Sequence, residues 1–426
     1  MTTTTYSTPT TTAKERRNIV VAATAGNMLE FYDFTVYSYF ALTIAHQFFP
    51  KQDSQVAALL AFAVFALGFV SRPIGGIVLG YYADRKGRRP ALTLTILLMG
   101  LGSAIIGLAP TFSSIGIAAP LLITAARLIQ GFAQGGEFGA ATTTLLETGN
   151  NQSRAYRASW QLASQGAASL LGAAVAAILN FSLTSEAMNS WGWRVPFLIG
   201  VLIVPIGLYL RRHLKEEAPA SEHEHTPFSS RLILNWFLCV FSIMGMTISS
   251  YILMYYIPTY SIQYLGMPSN LSMVVALCAA VMSLVMCPIF GALSDRFKRR
   301  KPLAIAGRAI LALLLYPCFW LMNHYTSLGS MMALIIVLML FYTMGSTPAY
   351  ALMPENFPKK VRATYLASAY AVSVALFGGT AQLVSGWLIN ATGNTMAPAW
   401  YMIVSVTLSL IAVSLLRETG HEDLQP

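Results

Sequence analysis

Polar and apolar positions alternate along this chain in long blocks, not in the short periods of a soluble fold. Twelve apolar blocks are long enough to cross a bilayer, whose hydrocarbon core takes about 20 residues of helix. They run approximately over 18–45, 55–82, 90–109, 116–147, 157–181, 195–211, 232–260, 270–294, 303–323, 329–353, 361–391 and 397–416. Several exceed the minimum, which allows tilt or extension past the membrane. The pattern predicts an all-α integral membrane protein of twelve transmembrane helices.

Composition agrees. Hydrophobic residues make up 55% of the 426 and charged residues 10%, where a soluble domain carries about a quarter charged. The net charge of +10 would suit nucleic acid, but its distribution points elsewhere. Basic residues fall in short runs between apolar blocks, as membrane orientation requires. With the N-terminus placed in the cytoplasm, 22 of the 27 lysines and arginines lie on that side, and the outer loops hold only Lys51 and Arg194. Both termini are therefore expected to be cytoplasmic, with lipid and not nucleic acid as the partner. Residues 1–12 lack the features of a signal peptide, so the first apolar block is expected to be a retained span.

The longest hydrophilic segment separates the sixth and seventh blocks. The expected layout is a disordered cytoplasmic N-terminus over 1–17, a six-helix bundle over 18–211, a linker over 212–231, a second bundle over 232–416 and a tail over 417–426. The halves repeat. Gly80-Tyr81-Tyr82-Ala83-Asp84-Arg85-Lys86-Gly87-Arg88-Arg89 matches Gly291-Ala292-Leu293-Ser294-Asp295-Arg296-Phe297-Lys298-Arg299-Arg300, each after the second helix of its half. Internal repeats of this kind mark transporter folds, whose halves rock about a midplane site.

The ionisable residues inside the blocks narrow the chemistry, because burying charge in a membrane is costly and such residues are functional candidates. Away from the block ends they are Glu30, Asp33, Arg72, Arg127, Glu137 and Arg308. At ~1.5 Å per residue, Glu30, Arg72 and Glu137 lie roughly 18–20 Å from the inner face. Arg72 and Arg127 are candidate anion ligands, since a guanidinium matches a carboxylate with two parallel hydrogen bonds; the alternative is an arginine–carboxylate tie between helices. Glu30, Asp33 and Glu137 are candidate proton carriers. Arg308, six residues past Pro302, is expected to snorkel to the cytoplasmic face. Gln161, Gln165 and Ser169 form one polar stripe at i, i+4, i+8, and Asn27 shares a helix face with Glu30. Tyr32, Tyr37, Tyr251, Tyr255 and Tyr256 offer further hydroxyls. Gly131, Gly135 and Gly139 give the fourth helix a smooth face for close packing. The four cysteines sit in apolar blocks without metal-ligand spacing, and no nucleophile–base set or phosphate loop suggests an enzyme.

The G-x-x-x-D-R-x-G-R-R loop, its degenerate copy and the six-plus-six layout resemble the major facilitator superfamily over almost the whole chain. Within it the chain is similar to the metabolite:proton symporters. The residues that carry this are Gly26-Asn27-Met28-Leu29-Glu30-Phe31-Tyr32-Asp33-Phe34, Phe48-Phe49-Pro50, Ser71-Arg72-Pro73-Ile74-Gly75-Gly76, Arg127-Leu128-Ile129-Gln130-Gly131-Phe132, Gly135-Gly136-Glu137-Phe138-Gly139 and Trp191-Gly192-Trp193-Arg194-Val195-Pro196-Phe197. Ser159-Trp160-Gln161-Leu162-Ala163-Ser164-Gln165 and Pro398-Ala399-Trp400-Tyr401 look like the citrate and tricarballylate members.

The resemblance implies a monomeric symporter of the bacterial inner membrane, with the proton as coupling ion and no cofactor. It would carry a small organic anion, a di- or tricarboxylate, held by Arg72, Arg127, Asn27, Tyr32, Gln161 and Gln165. Zwitterions such as betaine or proline, and 2-oxoglutarate or shikimate, are the alternatives. It also implies gating by Asp84, Arg85, Arg88 and Arg89 with Asp295 and Arg296. Lys298 departs from the loop pattern, where glycine is usual.

Overall fold

The structure is a computed structural model that describes residues 13–50, 54–86, 88–135, 142, 145, 151–212, 230–420 and 422. Glu137, Gly139, most of the expected linker and the first twelve residues lie outside this set, as do the side chains of Asp84, Arg88 and Arg89.

The described chain is nearly all helix. In order, α1 covers Ala13–Tyr39, α2 Ala41–Phe48, α3 Ser54–Val70, α4 Arg72–Lys86, α5 Arg88–Leu108, α6 Ala118–Gln134, α7 Arg154–Ser182 and α8 Val195–Arg212. After the linker come α9 Ser230–Ser250, α10 Ile257–Gln263, α11 Ser269–Phe297, α12 Lys301–His324, α13 Leu328–Glu355, α14 Lys359–Ser373, α15 Ala381–Thr392 and α16 Ala397–Leu415. Among the described residues, ten helical segments are long and apolar enough to cross a membrane. The first and fourth expected blocks correspond to α1 and α6.

Three of the ten segments are interrupted in mid-span. The second apolar block breaks at Ser71, between α3 and α4. Pro73 lacks an N–H and its ring disfavours helical geometry at the preceding residue. The Ser71 hydroxyl donates at the break, 2.9 Å from both Gly68 O and Leu128 O. The other two contain wide π-turns, Tyr251–Tyr256 between α9 and α10 and Val374–Gly378 between α14 and α15. Such turns cluster at functional sites.

Glycines set how closely the helices approach. A Cβ on Gly131 would run into Gly68 O, one on Gly135 into Arg72 O, and one on Gly75 into Phe132 O. So α6 lies backbone to backbone against α3 and α4, the close packing small residues permit in membranes. Expected smoothness at Gly131 and Gly135 thus has a partner: the stretch of helix that carries Arg72.

The halves of the chain meet chiefly along α7 and α11. At one end, Tyr39 Oη donates to Met254 O at 3.2 Å, Gln382 Nε2 to Ser38 Oγ at 2.9 Å, and Phe62 packs edge-on against Tyr256. At the other, the Asp295 carboxylate accepts from the Ala155 and Tyr156 backbone N–H groups at 3.1 and 2.8 Å. An acid from one half thus satisfies donors at a helix start that has no internal partners for them, where the helix dipole favours negative charge.

Candidate functional site

Between these two contacts lies a narrow cleft. Its first-half wall is Asn27, Glu30, Phe31, Arg72, Gln134 and Gly135; its second-half wall is Ala367, Tyr370 and Ala371. Of the candidate ligands and proton carriers, Asn27, Glu30 and Arg72 line it.

Arg72 is 5% exposed. Its Nη2 donates to Gln134 Oε1 at 2.6 Å, and Gln134 Nε2 returns a bond to the Glu30 carbonyl at 2.7 Å. The guanidinium carbon stands 4.0 Å from the Phe69 ring centre and 4.7 Å from that of Phe34. Tyr370 reaches across from α14 to stand beside Arg72. Arg72 Nε has no hydrogen-bond partner among the described residues. Aromatic faces attract the cation without using its N–H groups, so the charge is held while one buried donor stays unpartnered.

Arg127 does not reach the cleft, contrary to the reading of both arginines as substrate ligands in one cavity. It is fully buried, with its guanidinium carbon 4.2 Å from the Phe34 ring centre, 4.6 Å from Tyr37 and 5.0 Å from Phe65. Two arginines therefore share the Phe34 ring. Arg127 Nη1 donates to Gln130 Oε1 at 2.8 Å, and Gln130 Nε2 to Ser103 Oγ at 3.0 Å. Ser103 in turn stands beside Asp33, and Arg127 lies within electrostatic reach of the same carboxylate. Asp33 is tucked against α8, where a Cβ on Gly200 would meet Asp33 Oδ1 at 2.5 Å. Cation, amide, hydroxyl and acid form one buried chain behind the cleft.

Other expectations change in the same way. Tyr32 is buried with its hydroxyl donating to Pro196 O at 2.9 Å, which ties α1 to α8 and removes it from the cleft. Gln161 pairs with Asn27 through Nε2 to Oδ1 at 3.0 Å, and Asn27 Nδ2 bonds Ser164 Oγ at 2.7 Å. Gln165 is buried with Nε2 unpartnered, and Ser169 Oγ reaches Tyr255 Oη at 3.2 Å. The stripe faces the bundle interior, binding α1 and the second half.

Arg308 does not snorkel. It is 3% exposed and turned inward, because α12 and α13 touch at Gly307 and Gly345 and leave its side chain an inward path. At the Asp295 end, Arg296 is exposed and the cation that engages Asp295 is Arg300, Nη1 to Oδ1 at 2.8 Å. Glu355 joins Arg300 at 3.4 Å and Arg154 of the first half at 3.5 Å. Arg85 stacks over the ring of Tyr81, its own helix neighbour, at 4.5 Å.

Sequence reasoning passed over Gln130, Gln134 and Tyr370. Arg127, Gln130 and Gln134 stand at i, i+3 and i+7, one helix face, so the logic applied to the Gln161 stripe reaches them. Tyr370, eleven residues into α14, had only its depth to mark it.

Apolar helices from two repeating halves, closed around a cleft that holds an arginine and an acid, define a membrane transporter. The chain belongs to the Major Facilitator Superfamily, whose sequence profile matches residues 23–374 and 271–425. It is 34% identical over 417 residues to a citrate-proton symporter of Klebsiella pneumoniae, covering 96% of this chain and 94% of that one. A putative proline/betaine transporter of Staphylococcus aureus is 32% identical over 417 residues, covering 95% and 89%. In fold the chain matches a proton:xylose symporter bound to a bromodeoxyglucose, with a TM-score of 0.78 at 18% identity over 97% and 98% of the two chains. It also matches a partially occluded, inward-open xylose transporter of E. coli, at 0.76 and 18% over 97% and 100%.

Proposed function

We propose that this protein is a proton-coupled symporter of the bacterial inner membrane that carries a small di- or tricarboxylate such as citrate. Two six-helix halves alternate access to the cleft at Arg72. The observation that carries this reading is Arg72 itself, a cation held on two aromatic faces at the junction of the halves, with Nε unpartnered. The citrate-proton symporter relatives support the anion and the coupling ion.

In this mechanism a substrate carboxylate takes Arg72 and displaces Tyr370, which releases one contact between the halves. Glu30, on the same wall, competes for the same cation when ionised. A proton on Glu30 removes that competition, so proton and anion bind together. Asp33 is the second proton site, linked to Arg127 through Gln130 and Ser103, so its charge state is felt at the Phe34 ring beneath Arg72. The Asp295–Arg300–Glu355–Arg154 set closes one end of the α7–α11 seam and must part when the halves rock. In the expected loop, Asp84, Arg88 and Arg89 play the matching part in the first half.

A zwitterion is the second reading. Glu30 and Arg72 line one cleft with opposite charges, beside the Phe31 and Tyr370 rings, which suits a carboxylate joined to a quaternary ammonium. The proline/betaine relatives favour it equally in kind.

Uptake into proteoliposomes decides. Labelled citrate should accumulate under an inward proton gradient, and a protonophore should abolish accumulation. Uptake indifferent to the gradient rejects symport. Uptake of betaine but not of citrate selects the second reading.

A further inference from the structure

Of the three arginines away from the ends of the apolar blocks, Arg308 has no part in the proposed transport cycle. Its surroundings are unusual for a buried cation. Nε donates to Ser409 Oγ on α16 at 3.0 Å, Nη1 to Ala304 O at 3.2 Å and to Gly345 O, and Nη2 to Ser242 Oγ on α9 at 3.4 Å. All four acceptors are neutral. No described aspartate or glutamate lies within ion-pair distance, and the titratable side chain beside it is Tyr342.

A guanidinium has five N–H groups, and these four bonds leave one on Nη2. Beside Arg308 is a small cavity, also lined by Met246, Ser249, Tyr342 and Ser346. The Ser249 hydroxyl is buried and has no hydrogen-bond partner among the described residues. The cavity thus combines an uncompensated charge, a remaining cationic donor and an unused hydroxyl donor. Buried charges in proteins are paired or bind ions of opposite sign, and carbonyl and hydroxyl dipoles supply no countercharge.

We propose that this cavity is a binding site for a small inorganic anion of chloride size, held by Arg308 and Ser249 inside the second half and separate from the transport cleft. The lining accounts for the size. The space is small, and Leu311, Phe341 and Val406 make part of its wall apolar, so a monatomic anion fits it with fewer donors than a polyatomic carboxylate needs. The bound anion neutralises Arg308 where α9, α12, α13 and α16 converge. It therefore stabilises the second half as a body and does not travel with the substrate.

The test uses the full-length protein in detergent. Its melting temperature is titrated with sodium chloride against sodium gluconate at constant ionic strength. A ligand that binds only the folded state stabilises it in proportion to the logarithm of its concentration above Kd. A saturable rise with chloride, reproduced by bromide, is expected. S249A should raise the half-saturating chloride concentration by about tenfold or more, the loss of one hydrogen bond to an ion. R308Q should remove the chloride dependence, and R72A should leave it intact. Equal melting curves in chloride and gluconate overturn the site. Dependence retained in R308Q, or lost in R72A, also overturns it by placing the anion elsewhere. If R308Q does not fold, the wild-type and S249A titrations still decide.

Discussion

Arg72 and Arg308 are the same residue inside the same membrane body, and their neighbours give them opposite characters. Arg72 rests on the Phe34 and Phe69 rings, bonds Gln134, stands beside Tyr370 at a cleft, and keeps Nε unpartnered. Arg308 is tied to Ala304 O, Gly345 O and two serine hydroxyls. An aromatic face attracts a cation without consuming its donors; a carbonyl consumes one for each bond it makes. The first environment stores a charge for later use, and the second spends most of its donors on holding helices together. The role of a charged residue in a membrane thus depends less on depth than on whether rings or main-chain oxygens surround it.

The contrast is most exposed to failure at Arg72. R72A should reduce citrate uptake by about 100-fold, since a charge-assisted pair contributes up to about 3 kcal/mol, with R72K intermediate because ammonium cannot pair bidentately. Full uptake by R72A in proteoliposomes would mean the cleft reading is wrong. R308A should instead act on the fold, destabilising the protein by about 2 kcal/mol, within the range for a broken buried polar network. Its melting temperature should drop by several degrees while substrate affinity of the folded fraction is unchanged; a selective loss of affinity would erase the distinction. F34L tests the shared ring, and removing its cation–π contribution of about 1 kcal/mol should weaken substrate binding roughly fivefold. D33N separates coupling from binding: exchange across the membrane should persist while uphill accumulation stops, measured by counterflow against gradient-driven uptake.

The smallest effect concerns the tail. Burial raises the Glu418 carboxyl, but backbone N–H groups of Arg300, Lys301, Gly420 and Thr419 outweigh it and hold its pKa below the usual glutamate range. A depressed folded pKa gives stability that is present above the unfolded value and lost as pH falls through the folded one. Between neutral and acid pH, wild-type should lose stability slightly more steeply than E418Q. Parallel melting curves across that range would remove Glu418 from the account.

Much of the helical layout was legible because lipid enforces it. The block expected at 303–323 is Lys301–His324, and that at 397–416 is Ala397–Leu415. Hydropathy records how many apolar residues a span contains but not how they are wound, so the break at Ser71 and both π-turns were invisible to it. Among site residues, Glu30, Asn27 and Arg72 share the cleft because charge at depth must find polar company. Arg127 and Arg308 were misplaced because depth along a helix does not say which way a side chain turns. That depended on Gly307 and Gly345, and on rings from α1 and α3, contacts far apart in sequence. Tyr32 has a hydroxyl that a backbone carbonyl claims, a competition no spacing rule displays.

Phe69 carries a final consequence. Its ring lies under Arg72, packs edge-on against Tyr251 at 5.5 Å, and is so close to Gly379 that a side chain there would strike it. Tyr251 opens one π-turn and Gly379 immediately follows the other. A wide turn carries one surplus residue, and shifting that surplus by one position swivels the side chains it crosses by about 100°. Phe69 is therefore placed like a cam against two crankshafts: in the proposed cycle, cargo that tugs on Arg72 would lean on both wide windings of the opposite half in a single stroke.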